Sequence, residues 1–69
     1  MHEKLIEFWN IVDGYRETYP DMRRGQIYMN SLHKINPYLY NLYSNSSWDC
    51  FYNDNLCQDF IIKLYRYYK

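Results

Sequence analysis

The chain has 69 residues with eight acidic and eight basic side chains, and its apolar residues include ten tyrosines, three phenylalanines and two tryptophans. A domain of this length has a core near the lower limit of what folds unaided, so these rings cannot all be buried. The zero net charge argues against a protein that coats nucleic acid, which needs a strong basic excess. We expect several aromatic rings at the surface, where a contiguous group usually marks a binding partner.

The first predicted element is an amphipathic helix over residues 3–19, because apolar residues recur there every three or four positions. These positions are Leu5, Phe8, Trp9, Val12, Tyr15 and Tyr19. Gly14 interrupts the pattern at a cost of about 1 kcal/mol relative to alanine, which suggests a close helix crossing. Pro20 ends the helix, because the residue before a proline avoids the helical conformation.

A second helix is predicted from an N-cap at Asp21 to about Ile35, since the Asp21 carboxylate can accept hydrogen bonds from the first-turn amides. Its buried side comprises Met22, Ile27, Met29, Leu32 and Ile35. Arg23 and Arg24 then fall in the first turn, where the helix dipole disfavours cations. We therefore expect an acidic side chain to hold at least one of these arginines.

Pro37 predicts the start of a short third helix, and Asn53 or Asp54 predicts the cap of a final helix that ends near Tyr68. The apolar stripe of the final helix comprises Leu56, Cys57, Phe60, Ile61, Leu64, Tyr65 and Tyr68. Ile62 and Tyr67 fall outside this stripe, on a charged face, which favours an interface there. The predicted fold is a single all-α domain over residues 1–69, a compact bundle of three main helices and one short helix.

Charge alternates in blocks along the chain. Acids prevail in residues 1–22 and 44–59, and bases prevail in residues 23–43 and 60–69. Such blocks let packed helices complement one another, or let two copies of the chain dock head to tail. A homodimer is one expectation, and solvated faces on successive helices are the alternative.

The stretches "YPDMRRGQIYMNSL" and "DCFYND" resemble a family of small uncharacterised bacteriophage and prophage proteins. The matching positions are Trp9, Pro20, Arg23, Gly25, Gln26, Asn30, Asp49, Phe51, Tyr52 and Asp54. The sequence departs from the family where Asn55 replaces a second acid, and where residues 36–48 are longer and richer in tyrosine. The resemblance implies a phage-type accessory protein in the cytoplasm of a bacterial host.

The same pattern predicts an internal polar clasp between the second helix and the segment before the last one. Its members are Arg23, Gly25, Gln26, Asn30, Asp49, Tyr52 and Asp54. Gly25 would let the helix backbone approach the turn at residues 51–52, and Arg23 would pair with Asp49 or Asp54 through charge-assisted hydrogen bonds. In the alternative, Arg24 and Gln26 face a ligand or a partner.

No metal, cofactor or catalytic residue is expected. His2, His33, Cys50 and Cys57 match no compact zinc spacing. Cys57 lies on the apolar stripe and Asp49 opposes ionisation of Cys50, so neither thiol is a predicted nucleophile. The charged amino-terminal segment predicts no signal peptide, and no run reaches the roughly 18 apolar residues of a membrane span.

The leading functional hypothesis is a protein that binds and occludes a host protein, such as a defence-system component, without catalysis. The predicted contacts are Tyr40, Tyr43, Trp48, Ile62, Arg66 and Tyr67, because tyrosine and arginine are enriched at interface hot spots. An aromatic lid over a thin core is the alternative for the rings of residues 38–48. A nucleic-acid-binding regulator is the second hypothesis, with Arg23, Arg24, Lys63, Arg66 and Lys69 contacting phosphates. A virion assembly factor is the third.

Overall fold

The computed structural model describes residues 1–69, which form four α-helices and no β-strand. The helices are α1 at Glu3–Thr18, α2 at Arg24–Ile35, α3 at Pro37–Tyr43 and α4 at Cys57–Tyr67. A 3-10 turn at Asp54–Leu56, capped by the Asn53 side chain, leads directly into α4. The predicted all-α fold with three main helices and one short helix is confirmed.

The connection between α1 and α2 is a tight turn that begins at Tyr19. The Met22 amide donates to the Tyr19 carbonyl at 3.0 Å and closes this turn. Asp21 lies inside the turn, so the predicted N-cap at Asp21 is wrong. The N-cap residue is Arg23, whose amide donates to Gln26 Oε1 at 3.2 Å.

Asn36 joins three helices through its backbone and its side chain. Its amide donates to the Leu32 carbonyl at 2.8 Å and ends α2. Its Oδ1 accepts from the Leu39 amide at 3.0 Å and caps α3, where Pro37 occupies the first turn as predicted. Its Nδ2 donates to Tyr68 Oη at 2.8 Å, which holds the end of α4 against the α2–α3 junction.

A cluster of four aromatic rings lies at the centre of the core. Phe60 of α4 packs against one ring from each of the other helices. These rings are Phe8, Tyr28 and Tyr43, with centroids 6.1, 6.0 and 6.1 Å from that of Phe60. Phe60 therefore lies where all four helices meet, and its burial depends on all of them.

The predicted apolar stripe of α4 is confirmed. Cys57, Phe60 and Leu64 are buried, and the other members of the stripe are half-buried. Ile62 and Tyr67 lie outside it with exposed fractions of 44% and 51%. One side of α4 thus belongs to the core, and the other side carries two large apolar side chains in contact with solvent.

Two predictions for α1 are wrong. Gly14 does not mark a helix crossing, because a Cβ atom at this position would have nothing within 4 Å. Tyr19 is exposed rather than part of the apolar stripe, because α1 ends one residue earlier and the chain turns away.

Two tyrosine hydroxyls differ in their hydrogen bonding, and their removal should affect stability differently. Tyr65 Oη accepts from Trp9 Nε1 at 2.7 Å, whereas the buried Tyr43 hydroxyl has no hydrogen-bond partner. Tyr65→Phe should lower the free energy of unfolding by about 1 kcal/mol, because the Trp9 N–H loses its acceptor. Tyr43→Phe should leave it unchanged or raise it by up to about 1 kcal/mol, because an unsatisfied polar atom is removed. Urea unfolding followed by circular dichroism measures both changes, and equal losses would contradict this account.

Candidate functional site

The first turn of α2 lies directly against the segment that precedes α4. The Gly25 amide donates to Asp54 Oδ1 at 3.0 Å, and Cys50 Sγ donates to the Gly25 carbonyl at 3.7 Å. A Cβ atom on Gly25 would collide with the Cys50 carbonyl oxygen and lie 2.8 Å from the Cys50 carbonyl carbon. Because both colliding atoms belong to the backbone, only glycine fits this approach.

The Arg23 side chain makes contacts within the protein. Its Nη2 donates to the Phe51 carbonyl at 2.9 Å, and its Nη1 lies 4.0 Å from Asp54 Oδ1. The two charged side chains are 42% and 39% exposed, so the ion pair itself contributes at most about 1 kcal/mol. Arg23 therefore orders the 50–54 segment mainly through the carbonyl of Phe51.

Four of the seven predicted clasp residues come together at this junction, and three lie elsewhere. Arg23, Gly25, Gln26 and Asp54 are the four that meet. Asn30 Nδ2 donates to Met22 Sδ at 3.9 Å within α2 and the turn before it. Tyr52 is 82% exposed, with its ring 4.7 Å from that of Phe51.

Asp49 orders the loop between α3 and α4 rather than pairing with Arg23. Its Oδ2 accepts from the Asn45 amide at 2.7 Å, and its Oδ1 accepts from the Phe51 amide at 3.0 Å. Asn45 has a φ of 61°, a left-handed conformation that asparagine tolerates at the end of a helix. Of the two acids proposed for Arg23, the structure selects Asp54.

The solvent side of α4 carries a shallow depression of about 300 Å³ next to the α3–α4 loop. It is lined by Trp48, Asp59, Ile62, Lys63 and Arg66. Lys63 Nζ lies 4.5 Å from the centroid of the Trp48 ring, a cation–π contact. We name these five residues, with the exposed Tyr67 one turn beyond Lys63, the outer α4 face.

Four of the six predicted partner contacts belong to the outer α4 face, namely Trp48, Ile62, Arg66 and Tyr67. Tyr40 lies apart from it, half-buried, with its ring 4.8 Å from that of His33. The contact role predicted for Tyr43 is wrong, because this side chain is only 3% exposed and packs on Phe60. For Tyr43, the alternative of aromatic packing over the core is the correct one.

The five cations of the nucleic-acid hypothesis lie in two groups. Arg23 and Arg24 are at the start of α2, against the segment that leads into α4. Lys63, Arg66 and Lys69 are in or beyond the last two turns of α4. Lys63 lies six residues after the first residue of α4, about 9 Å along the helix at 1.5 Å per residue, and Arg66 and Lys69 lie farther along the chain. The five cations do not form a single basic stripe.

Both cysteines are free and buried. Burial raises the pKa of the Cys50 thiol well above its ordinary value, and the nearby Cys57 acts in the same direction. Asp49, the cause proposed from the sequence, contributes least. No group of three or more His, Cys, Asp or Glu side chains is placed to hold a metal ion. None of the helices has the length and apolar content needed to cross a membrane.

A second and larger depression, of about 520 Å³, was not foreseen from the sequence. It lies among α1, the first turns of α2 and the start of α4, and we name it the Trp9 pocket. Its lining includes Trp9, Arg24, Tyr28, Asn55, Gln58 and Ile61. These residues are distant in the chain and share no motif, so only the packing of the helices brings them together.

Searches against protein-family models, curated proteins and solved structures give no match to this chain. The geometry of its surfaces is therefore the basis for inferring its function.

Substitution of the two glycines by alanine should have opposite effects on stability. Gly25→Ala should lower the free energy of unfolding by about 1–3 kcal/mol, because the new methyl group forces the Cys50 backbone away. Gly14→Ala is the matched control and should raise it by about 1 kcal/mol, because Gly14 is a helical residue with open space around it. Urea unfolding measures both changes. An unchanged free energy of unfolding for Gly25→Ala would contradict the close approach.

The buried thiol should make the protein less stable in alkali. An unfolded chain loses the Cys50 proton near pH 9.0, whereas the folded protein keeps it because the pKa of Cys50 is raised. This contribution is fully present below about pH 9 and is lost as the pH rises, by up to about 1.4 kcal/mol per pH unit. Cys50→Ser keeps a donor for the Gly25 carbonyl but does not titrate in this range. Urea unfolding between about pH 8 and 10 should therefore show that the free energy of unfolding falls more steeply with pH for the native chain than for the variant. Equal slopes of this free energy against pH would contradict the prediction.

Proposed function

We propose that the protein is a small accessory protein of bacteriophage or prophage origin that binds a host protein and occludes it, without catalysis. In this proposal it acts in the cytoplasm of the bacterial host, and its contact surface is the outer α4 face. The observation that carries the proposal is the clustering of Trp48, Ile62 and Arg66, three contacts predicted from the sequence, around one depression. The resemblance to phage proteins in the 19–32 and 49–54 stretches supports the origin.

The composition of the outer α4 face suits a binding surface. Ile62 and Tyr67 expose about half of their side chains, which leaves apolar area that a partner would remove from water. Tryptophan, tyrosine and arginine dominate interface hot spots, and all three occur here. Asp59, Lys63 and Arg66 surround the apolar groups with charge, as in the polar rim of a protein interface.

The outer α4 face is also held rigidly. The opposite side of α4 is fixed in the core by Phe60 and Leu64, which are fully buried. Lys63 Nζ lies over the Trp48 ring, 4.5 Å from its centroid. A surface that is ordered before binding loses little conformational entropy on association, which favours affinity. Occlusion needs only such a surface and no reacting group.

A second copy of the chain is the other occupant we consider for this surface. Acidic and basic blocks alternate along the sequence, and the outer α4 face itself contains both signs of charge. Size-exclusion chromatography with light scattering distinguishes a homodimer from a monomer that awaits a host protein.

The proposal predicts that Arg66→Ala/Tyr67→Ala folds normally but loses partner binding. Both side chains are exposed, so circular dichroism should be unchanged, whereas loss of two contacts should weaken binding by about 2 kcal/mol or more. Tagged native protein and variant are used to capture partners from nuclease-treated bacterial lysate, with washes at moderate and high salt. Tyr52→Ala is the control, because Tyr52 is also exposed but lies outside the outer α4 face.

The supporting result is one protein retained through high salt by the native chain and the Tyr52 variant but not by the double variant. Equal retention by all three would exclude the outer α4 face as the contact surface. Nucleic acid that is captured from lysate without nuclease treatment, and is released by the high-salt wash, would instead favour nucleic-acid binding.

A further inference from the structure

The solvent side of α4 carries one continuous stripe of side chains. Asp59, Ile62, Lys63 and Arg66 are separated by three, one and three residues, so at about 100° per residue they lie within roughly 100° of the helix circumference. Asp59 and Arg66 are exposed, and Ile62 is 44% exposed. The stripe therefore presents an acid, an apolar group and a base to any molecule that lies along α4.

Asp59 and Arg66 have no oppositely charged partner within the chain. Neither residue belongs to either of the two ion pairs that the protein forms. They cannot pair with each other, because a separation of seven residues places them about 10 Å apart along the helix axis. Lys63 lies one turn after Asp59, but its Nζ is over the Trp48 ring, 4.5 Å from the centroid. Two opposite charges on one face of the helix are thus available to a partner.

The positions of these two charges are self-complementary. Asp59 and Arg66 are equidistant from the point between Ile62 and Lys63, each about 5 Å from it along the axis. A second α4 that runs antiparallel, related by a two-fold axis through this point, places Asp59 of each copy opposite Arg66 of the other. The two Ile62 side chains then meet beside the axis. Lys63 falls on the other edge of the stripe, next to Trp48 of its own chain.

The charges also select the orientation of the second copy. Asp59 lies in the first turn of α4 and Arg66 lies in the last turn. A parallel copy would bring acid against acid and base against base, and like charges in contact cost several kcal/mol. An antiparallel copy forms two equivalent ion pairs around one apolar contact. The net charge of the chain is zero, so long-range repulsion between copies does not oppose this contact.

The contact is small, because it is built on one short helix. The 11 residues of α4 span roughly 16 Å at 1.5 Å per residue. A contact of this length belongs with the weak and transient interfaces, which bury less than about 1,200 Å² in total. A weak dimer separates readily, which is necessary if the same face is to bind another protein.

We propose that the free protein is an antiparallel homodimer closed through the outer α4 face, which covers this surface until the dimer dissociates. The inference rests on the proposed function for the role of the surface: the second copy regulates its access to a host protein. Dimer formation itself requires no host protein. A monomeric chain that captures a host protein would overturn the dimer alone, and a dimeric chain that captures none would overturn the proposed function alone.

Sedimentation velocity of the purified chain at concentrations from about 10 μM to 1 mM tests the dimer, with a dissociation constant below about 1 mM expected. Asp59→Arg and Arg66→Asp should each weaken self-association by about tenfold or more, because both ion pairs become repulsive contacts. An equimolar mixture of the two variants should restore association, because each variant supplies the charge that the other has lost at the facing position. Restoration also shows that both variants are folded.

Asp13→Arg is the matched control. Asp13 is exposed on α1, and its substitution changes the net charge as Asp59→Arg does. This variant should associate as the native chain does. Its mixture with Arg66→Asp carries the same net charges as the first mixture but should form mixed dimers at least about tenfold more weakly, as measured by native mass spectrometry.

Three results would overturn the proposal. The first is a native chain that stays monomeric up to about 1 mM, which corresponds to only about 4 kcal/mol of binding free energy. The second is equal weakening by Asp13→Arg and Asp59→Arg, which indicates a general effect of charge. The third is a mixture of Asp59→Arg and Arg66→Asp that associates no better than either variant alone, which excludes the antiparallel pairing of these residues.

Discussion

The structure depends on the close approach of α2 to the backbone at Cys50, where only a glycine can stand. Gly25 provides this approach and donates its amide to Asp54, whose neighbours form the turn into α4. The hydrophobic side chains of α4 lie in the core, and they can pack there only if the first residue of the helix is held in position. A wider gap at Gly25 would shift the start of α4 and, with it, both the Trp9 pocket and the outer α4 face. This backbone contact therefore positions both depressions beside α4.

The two adjacent arginines have different surroundings, because they lie on either side of the start of α2. Arg23 is the N-cap residue with an extended backbone, and its side chain reaches the 50–54 segment. Arg24 begins the helix and points along a different direction, to the pocket beside α1. Of the two arginines, Arg23 belongs to the internal clasp, and Arg24 lies outside it with an exposed side chain.

Apolar periodicity and the two prolines were sufficient to predict the helices, the buried stripe of α4 and the exposure of Ile62 and Tyr67. Tertiary packing decided the rest. Asp21 has the chemistry of an N-cap, but the turn after Pro20 encloses it and moves the helix start to Arg24. The excess of aromatic residues showed that some rings must be exposed, but it could not show that Tyr43 is buried while Tyr52 is not. The Trp9 pocket combines three distant segments, so no local pattern in the sequence indicates it.

Native-state hydrogen exchange of the Gly25 amide, measured by NMR, is the most direct test of the junction between α2 and the start of α4. The first amides of a helix lack partners in the helix and normally exchange fast. We expect the Gly25 amide instead to exchange as slowly as that of Leu32 in the core, and Asp54→Ala to make it fast while Leu32 changes only with global stability. Fast exchange of the Gly25 amide in the native chain would mean that the junction opens freely, and would contradict its role in fixing the start of α4.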